Sequence, residues 1–124
     1  VGLISGDGGA WYLPRVVGLS RAFEMAFTCA SVGAEEAQRA GFVSRVVEPE
    51  ALLDAAMELA GQIVVQPPQA LRMMKRLIRH GAESSLAQNL ELAAAMQPVA
   101  QSSADQHEAV MAFLEKRPAR FEGR

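Results

Sequence analysis

Apolar residues recur along this chain mostly at three- and four-residue intervals, a spacing that predicts a protein built of helices. Leu52, Ala56, Leu59, Ala60 and Ile63 form one such series and give Glu50 to Val64 a core-facing stripe. Pro67-Pro68 interrupts it, and Pro68 suits the first turn of the next helix. There Leu71, Met74 and Ile78 carry the apolar stripe, while Arg72, Lys75, Arg76 and Arg79 turn mostly the other way. Gly81 ends that helix. A further one is expected from Ser84 to about Met96 with Pro98 just beyond, and a last one capped by Ser103 and closed by Pro118. Nearer the start, Trp11 to Val17 reads as a short helix that Gly18 interrupts. Ser20 can cap another to Thr28, with Ala22, Phe23, Ala26 and Phe27 on one face, and Ala34 to Ala40 forms a third, stopped by Gly41.

Two segments have strand character. Val1 to Ile4 suits the end of a buried strand, and Phe42 to Val47 is β-branched and begins by alternating, until Pro49 ends it. Two such strands cannot close a sheet on their own. The expected fold class is therefore mostly α with a remnant of β. An opening on Val-Gly-Leu-Ile, without Met, adds the expectation of a segment entered in mid-strand, a piece of something longer.

Composition narrows the function. The 124 residues suffice for one domain with a modest core, and with 50% hydrophobic but 6% aromatic residues that core must be alanine, leucine, valine and methionine. A net charge of −2 gives no global reason to expect nucleic acid or an anionic membrane. The single cysteine, Cys29, cannot form an internal disulfide, which suits a reducing, cytoplasmic setting. No uncharged run approaches the roughly 18 residues of a membrane span, and the start is not a signal peptide. His80 and His107 lack any matched ligand spacing, so no metal site is expected.

The densest chemical signal is at the front. Gly2, Gly6, Gly8 and Gly9 surround one carboxylate, Asp7, and a bulky apolar run follows. Packed glycines mark a sharp loop whose N–H groups can converge, and a helix starting near Gly9 would add its own unpaired donors there. The plainer reading is a turn leading into a helix, with Asp7 capping it. No Gly-Lys-Ser/Thr follows, which excludes a Walker-type phosphate loop.

Taken in order, Gly2-Leu3-Ile4-x-Gly6-x-Gly8-Gly9, Leu13-Pro14-Arg15-x-x-Gly18 and Ala22-x-Glu24-Met25 resemble the second half of the crotonase (enoyl-CoA hydratase/isomerase) superfamily. Ala34-Glu35-Glu36-Ala37-x-x-Ala40-Gly41-Phe42-Val43 continues the likeness. It closes with Asp105-x-x-Glu108-Ala109-x-x-Ala112-Phe113-Leu114-Glu115-Lys116-Arg117-x-x-x-Phe121. The resemblance implies the C-terminal helical half of a crotonase-like (ββα spiral) fold. Residues 1–47 would end the spiral core with its glycine-rich active-site loop, and residues 48–124 would form a helical region for oligomerisation and for covering CoA.

It also implies an acyl-CoA thioester as substrate, with coenzyme A entering as part of that substrate and no cofactor besides. The reaction implied is hydration of the α,β double bond through an oxyanion-stabilised enolate, with an isomerase or another crotonase-family acyl-CoA reaction as the alternative. By the family's order the oxyanion donors and both catalytic glutamates precede Gly2, so the segment by itself is expected to be inactive. Gly6 matches a glycine whose N–H helps hold the reacting water. Asp7 lies one or two positions after the acid that isomerase relatives carry in this loop, where this chain has Ser5 and Gly6, and Ser5 itself stands where proline is common. Phe113 and Lys116 match positions that contact the CoA nucleotide, partly across a subunit boundary, so a homo-oligomer (trimer or hexamer) is implied. One branch of the family binds RNA through a basic helix, which leaves Arg72 to Arg79 as the basis of an RNA-binding or structural alternative.

Overall fold

The computed structural model describes residues 2–124. Seven α-helices follow one another: α1 (Gly9–Val17), α2 (Leu19–Thr28), α3 (Ala34–Arg39), α4 (Leu52–Val64), α5 (Pro68–Gly81), α6 (Leu86–Gln101) and α7 (Ala104–Leu114). A 3₁₀ turn, Pro49–Ala51, precedes α4. The chain divides into two compact units, one ending at Leu52 and the other beginning at Leu53.

In the first unit α1 packs on α2. Gly18, with φ 80° and ψ 160°, separates them and stands as the N-cap of α2, so Ser20 lies inside the helix it was expected to cap. Pro14 sits within α1, where its ring denies the Ala10 carbonyl its usual partner. Arg21 of α2 forms an ion pair with Glu36 of α3. Helix α3 ends in a Schellman closure: the Gly41 N–H donates to the Gln38 carbonyl at 3.0 Å and the Phe42 N–H to Ala37 at 2.8 Å. Gly41 takes φ 82°, the left-handed value that this closure needs.

Neither expected strand forms among the described residues. Leu3 and Ile4 are 85% and 93% exposed, Phe42 to Val47 make no ladder, and Val1 lies outside the described residues. A strand is completed by hydrogen bonds to a neighbour, and here none lies alongside.

In the second unit α5 packs on α6 and α6 on α7. Helix α6 begins after Ser85, not Ser84. The Ser85 hydroxyl accepts from the Gln88 N–H at 3.3 Å, and the Gln88 side chain accepts from the Ser85 N–H at 3.0 Å, a complete capping box. Ser84 instead donates to the His80 carbonyl at 2.8 Å, and Asn89 Oδ1 lies 3.1 Å from His80 Nδ1, so the α5–α6 corner is tied by side chains. The helix also runs past Pro98 to Gln101. The Ala94 carbonyl, which Pro98 cannot serve, belongs to an exposed residue and can turn to water.

Burial is sparse. Among the described residues Ala22 and Ala112 are the buried apolar ones, and Asp105 is buried with them. The apolar stripe of α4 is present but uncovered, with Leu52 at 63% and Ile63 at 50% exposure. Periodicity says which face of a helix is apolar; it does not say what will cover it. Since most helical stability comes from packing such a face, these helices present surfaces suited to further contacts.

Candidate functional site

The expected site residues fall into two places, one in each unit. In the first, the chain tightens over Ile4 to Gly9. The Gly6 N–H donates to the Ile4 carbonyl at 2.9 Å, a three-residue turn that keeps this donor occupied in the conformation seen. Asp7 Oδ1 accepts from the Gly9 N–H at 3.0 Å, serving one of the otherwise unpaired donors at the start of α1. Its second oxygen has no hydrogen-bond partner among the described residues. A Cβ at Gly9 would stand 3.0 Å from the Ser5 Cβ and 3.2 Å from Asp7 Oδ1, so a side chain there would push the loop back from the helix start by a few tenths of an ångström. The result is a carboxylate fixed by one oxygen and open at the other, beside a positive helix end that favours its charge.

Close by in the same unit, α1 and α2 leave an open apolar cavity of about 230 Å³ lined by Leu13, Pro14, Phe23 and Phe27. Trp11 and Tyr12 do not line it; Trp11 lies under the Arg15 guanidinium, 3.6 Å from ring centroid to Cζ.

The second place is the end of α7. Its last turn repeats the Schellman closure of α3: the Lys116 N–H donates to Phe113 at 3.3 Å and the Arg117 N–H to Ala112 at 3.0 Å. Here, however, the left-handed residue is Lys116, with φ 53°. A side chain in that conformation costs on the order of 1 kcal/mol, and the neighbours hold it. The Arg117 guanidinium grips both oxygens of Glu108, at 2.6 and 2.8 Å, and Glu115 at 2.6 Å. The Arg120 N–H adds a further bond to Glu108 at 2.8 Å. These bonds, Arg117 first and the Arg120 amide second, pull the Glu108 carboxyl from 4.5 down to about 2, and the Arg117 guanidinium is raised in turn.

Asp105, in the first turn of α7 and 2% exposed, completes the arrangement. Its two oxygens accept the Glu122 and Gly123 N–H groups at 2.7 and 2.9 Å, and its own N–H donates to the Arg124 carbonyl at 3.1 Å. The tail after α7 is thereby folded back along the helix it leaves. Phe113 stands 82% exposed, and Lys116, three residues on, is exposed too. Reading the sequence picked out Asp105, Glu108 and Arg117 as parts of a motif but missed what they do. An acid in the first turn of a helix, with a short tail following, was the available signal.

The basic residues Arg72, Lys75, Arg76 and Arg79 line a shallow concavity on α5 with His80 and Glu83 at its end. None has an ion-pair partner among the described residues, and no aromatic side chain is interleaved with them as single-strand recognition requires. Among the described residues no helix is long and apolar enough to cross a membrane, and no three His, Cys, Asp or Glu side chains gather as a metal site would need.

The family model for enoyl-CoA hydratase/isomerase matches residues 1–124. This chain belongs to the enoyl-CoA hydratase/isomerase family. Within it, the chain is 39% identical over 124 residues to the 1,2-epoxyphenylacetyl-CoA isomerase of Escherichia coli (strain K12), covering 100% of this chain and 47% of that protein. To a probable enoyl-CoA hydratase of Rhodobacter capsulatus it is 38% identical over 124 residues, covering 100% of this chain and 48% of the relative. The crystal structure of enoyl-CoA hydratase from Bacillus anthracis superposes with a TM-score of 0.95 at 32% identity, over 99% of this chain and 48% of that one. The chain thus spans about half the length of the curated relatives it matches. The helical architecture agrees with the helical half of a crotonase-like fold, as the sequence motifs implied.

Proposed function

We propose that these residues work within an enoyl-CoA hydratase-type enzyme that adds water across the α,β double bond of an acyl-CoA thioester. The observation that carries this reading is the family match along the whole chain, with hydratases and isomerases among the relatives. In this reading the oxyanion donors that hold the enolate, and the glutamates that activate water, are supplied from outside the 124 residues. The chain contributes the Gly6–Asp7 turn. The free oxygen of Asp7 orients the water or takes its proton, and the Gly6 N–H joins once its bond to Ile4 opens. At the other end Lys116 supplies a point charge for a CoA phosphate and Phe113 a flat surface for adenine. The uncovered apolar face of α4 supports assembly into a homo-oligomer.

Movement of the double bond without water addition is the second reading. It is favoured by the carboxylate in the loop and by the enoyl-CoA isomerase/hydratase of Mycosarcoma maydis among the relatives. Product analysis on the complete enzyme that carries this chain separates the two: hydration gives a hydroxyacyl thioester, isomerisation a shifted enoyl thioester. In that enzyme Asp7→Asn is expected to lower kcat roughly 100-fold, as loss of a positioned acid–base group does. Unchanged turnover removes Asp7 from the mechanism.

A further inference from the structure

We infer that Glu108 is a positioning residue for thioester recognition, acting through Arg117 to hold Lys116 where its ammonium group can meet a phosphate. The inference rests on the reading that Phe113 and Lys116 take the nucleotide end of the substrate.

Among the described residues α3 and α7 end in the same closure, and they fill its left-handed position differently. Helix α3 uses Gly41 at φ 82°, which carries no side-chain penalty; α7 uses Lys116 at φ 53°. A backbone held in a disfavoured region persists only where its surroundings over-determine it. Of these two helix ends, α7 is the one that has such surroundings. Arg117, the next residue, is fixed by both oxygens of Glu108 at 2.6 and 2.8 Å and by Glu115 at 2.6 Å. The same Glu108 takes the Arg120 N–H at 2.8 Å, so the segment just after Lys116 is tied to the helix just before it. Glu108 itself makes no bond to Lys116. What it fixes is the backbone from which the lysine projects, three residues after the exposed Phe113 ring. A glycine would close the helix at less strain but would bring no charge, so the lysine is there for its side chain.

The test uses the complete enzyme with two substrates, an acyl-CoA and the matching acyl-pantetheine, which lacks the nucleotide. Lys116→Ala is expected to raise KM for the acyl-CoA roughly fivefold with kcat unchanged, the signature of lost uniform binding. Glu108→Gln should raise it similarly, the double variant no further than Lys116→Ala alone, and neither should affect the acyl-pantetheine. If Lys116→Ala leaves KM for the acyl-CoA unchanged, the nucleotide reading falls and takes this inference with it. If Lys116→Ala raises KM but Glu108→Gln does not, or the two effects add in full, the positioning role alone is overturned. Should Glu108→Gln fail to fold, Arg117→Lys keeps the charge but loses the fork. It is expected to show the same split, and a wild-type KM there would overturn the inference equally.

Discussion

Replacing Asp105 by Asn probes the tail clamp with almost no change of shape. The carboxylate is 2% exposed and accepts two backbone N–H groups, from Glu122 at 2.7 Å and Gly123 at 2.9 Å. Asparagine can accept one of them through its carbonyl. Its amide group must then face the other N–H, donor against donor. One charge-assisted bond is lost, at about 1.5–3 kcal/mol, and a part-buried N–H is left without a protein partner. Removing a negative charge from the first turn of α7 adds about 0.5 kcal/mol. The overlapping terms come to about 3 kcal/mol, a little over a hundredfold in the opening equilibrium of the tail. Native-state hydrogen exchange at the Glu122 and Gly123 amides reads this directly. Both should lose protection in Asp105→Asn, whereas Glu122→Ala, which keeps the backbone donor, should stay within about 0.5 kcal/mol of the parent. Amides that exchange at the parent rate in Asp105→Asn would refute the assigned clamp.

Other perturbations follow from the same geometry. Ser85→Ala removes one half of the capping box on α6 and should destabilise the protein by about 1 kcal/mol in urea unfolding. Lys116→Gly relieves the left-handed strain at φ 53° and should raise stability by about 0.5–1 kcal/mol, measured the same way. Glu108 has its folded value depressed from 4.5 to about 2. The stability it confers is therefore complete above pH 4.5 and is lost as pH falls towards 2, so acid unfolding of Glu108→Gln should show a shallower slope across that window.

Most helices were legible because their signals are local: apolar spacing, a proline at a first turn, a glycine at an end. The capping box was missed although its signal is local: Gln88 stands three residues after Ser85, whereas Ala87 stands three after Ser84, where the helix was expected to start. Pro98 misled because a proline near a helix end is usually a stop, yet the carbonyl it strands lies on an exposed residue. The strands were misjudged for the opposite reason. Phe42 to Val47 has strand composition, but a strand is a relation between two segments, and no partner lies alongside it here. At the candidate site the glycines and Asp7 announced a turn, and Asp7 does cap one. The left-handed Lys116 and the Glu108–Arg117 fork were hidden because each depends on residues nine or more positions apart meeting in space.

The central claim is that these residues serve an enzyme that forms and stabilises an acyl-CoA enolate, whichever product results. Incubating the complete enzyme with an enoyl-CoA in deuterated water, and reading the label at C2 and C4 by NMR, tests this for both reactions: hydration puts the solvent proton on C2 of the enolate, and a 3-enoyl to 2-enoyl shift puts it on C4 of the dienolate. The account predicts solvent deuterium at one of these carbons, at a rate that falls in Asp7→Asn. Turnover of the thioester with no label at either carbon, or no turnover of any acyl-CoA, would contradict it.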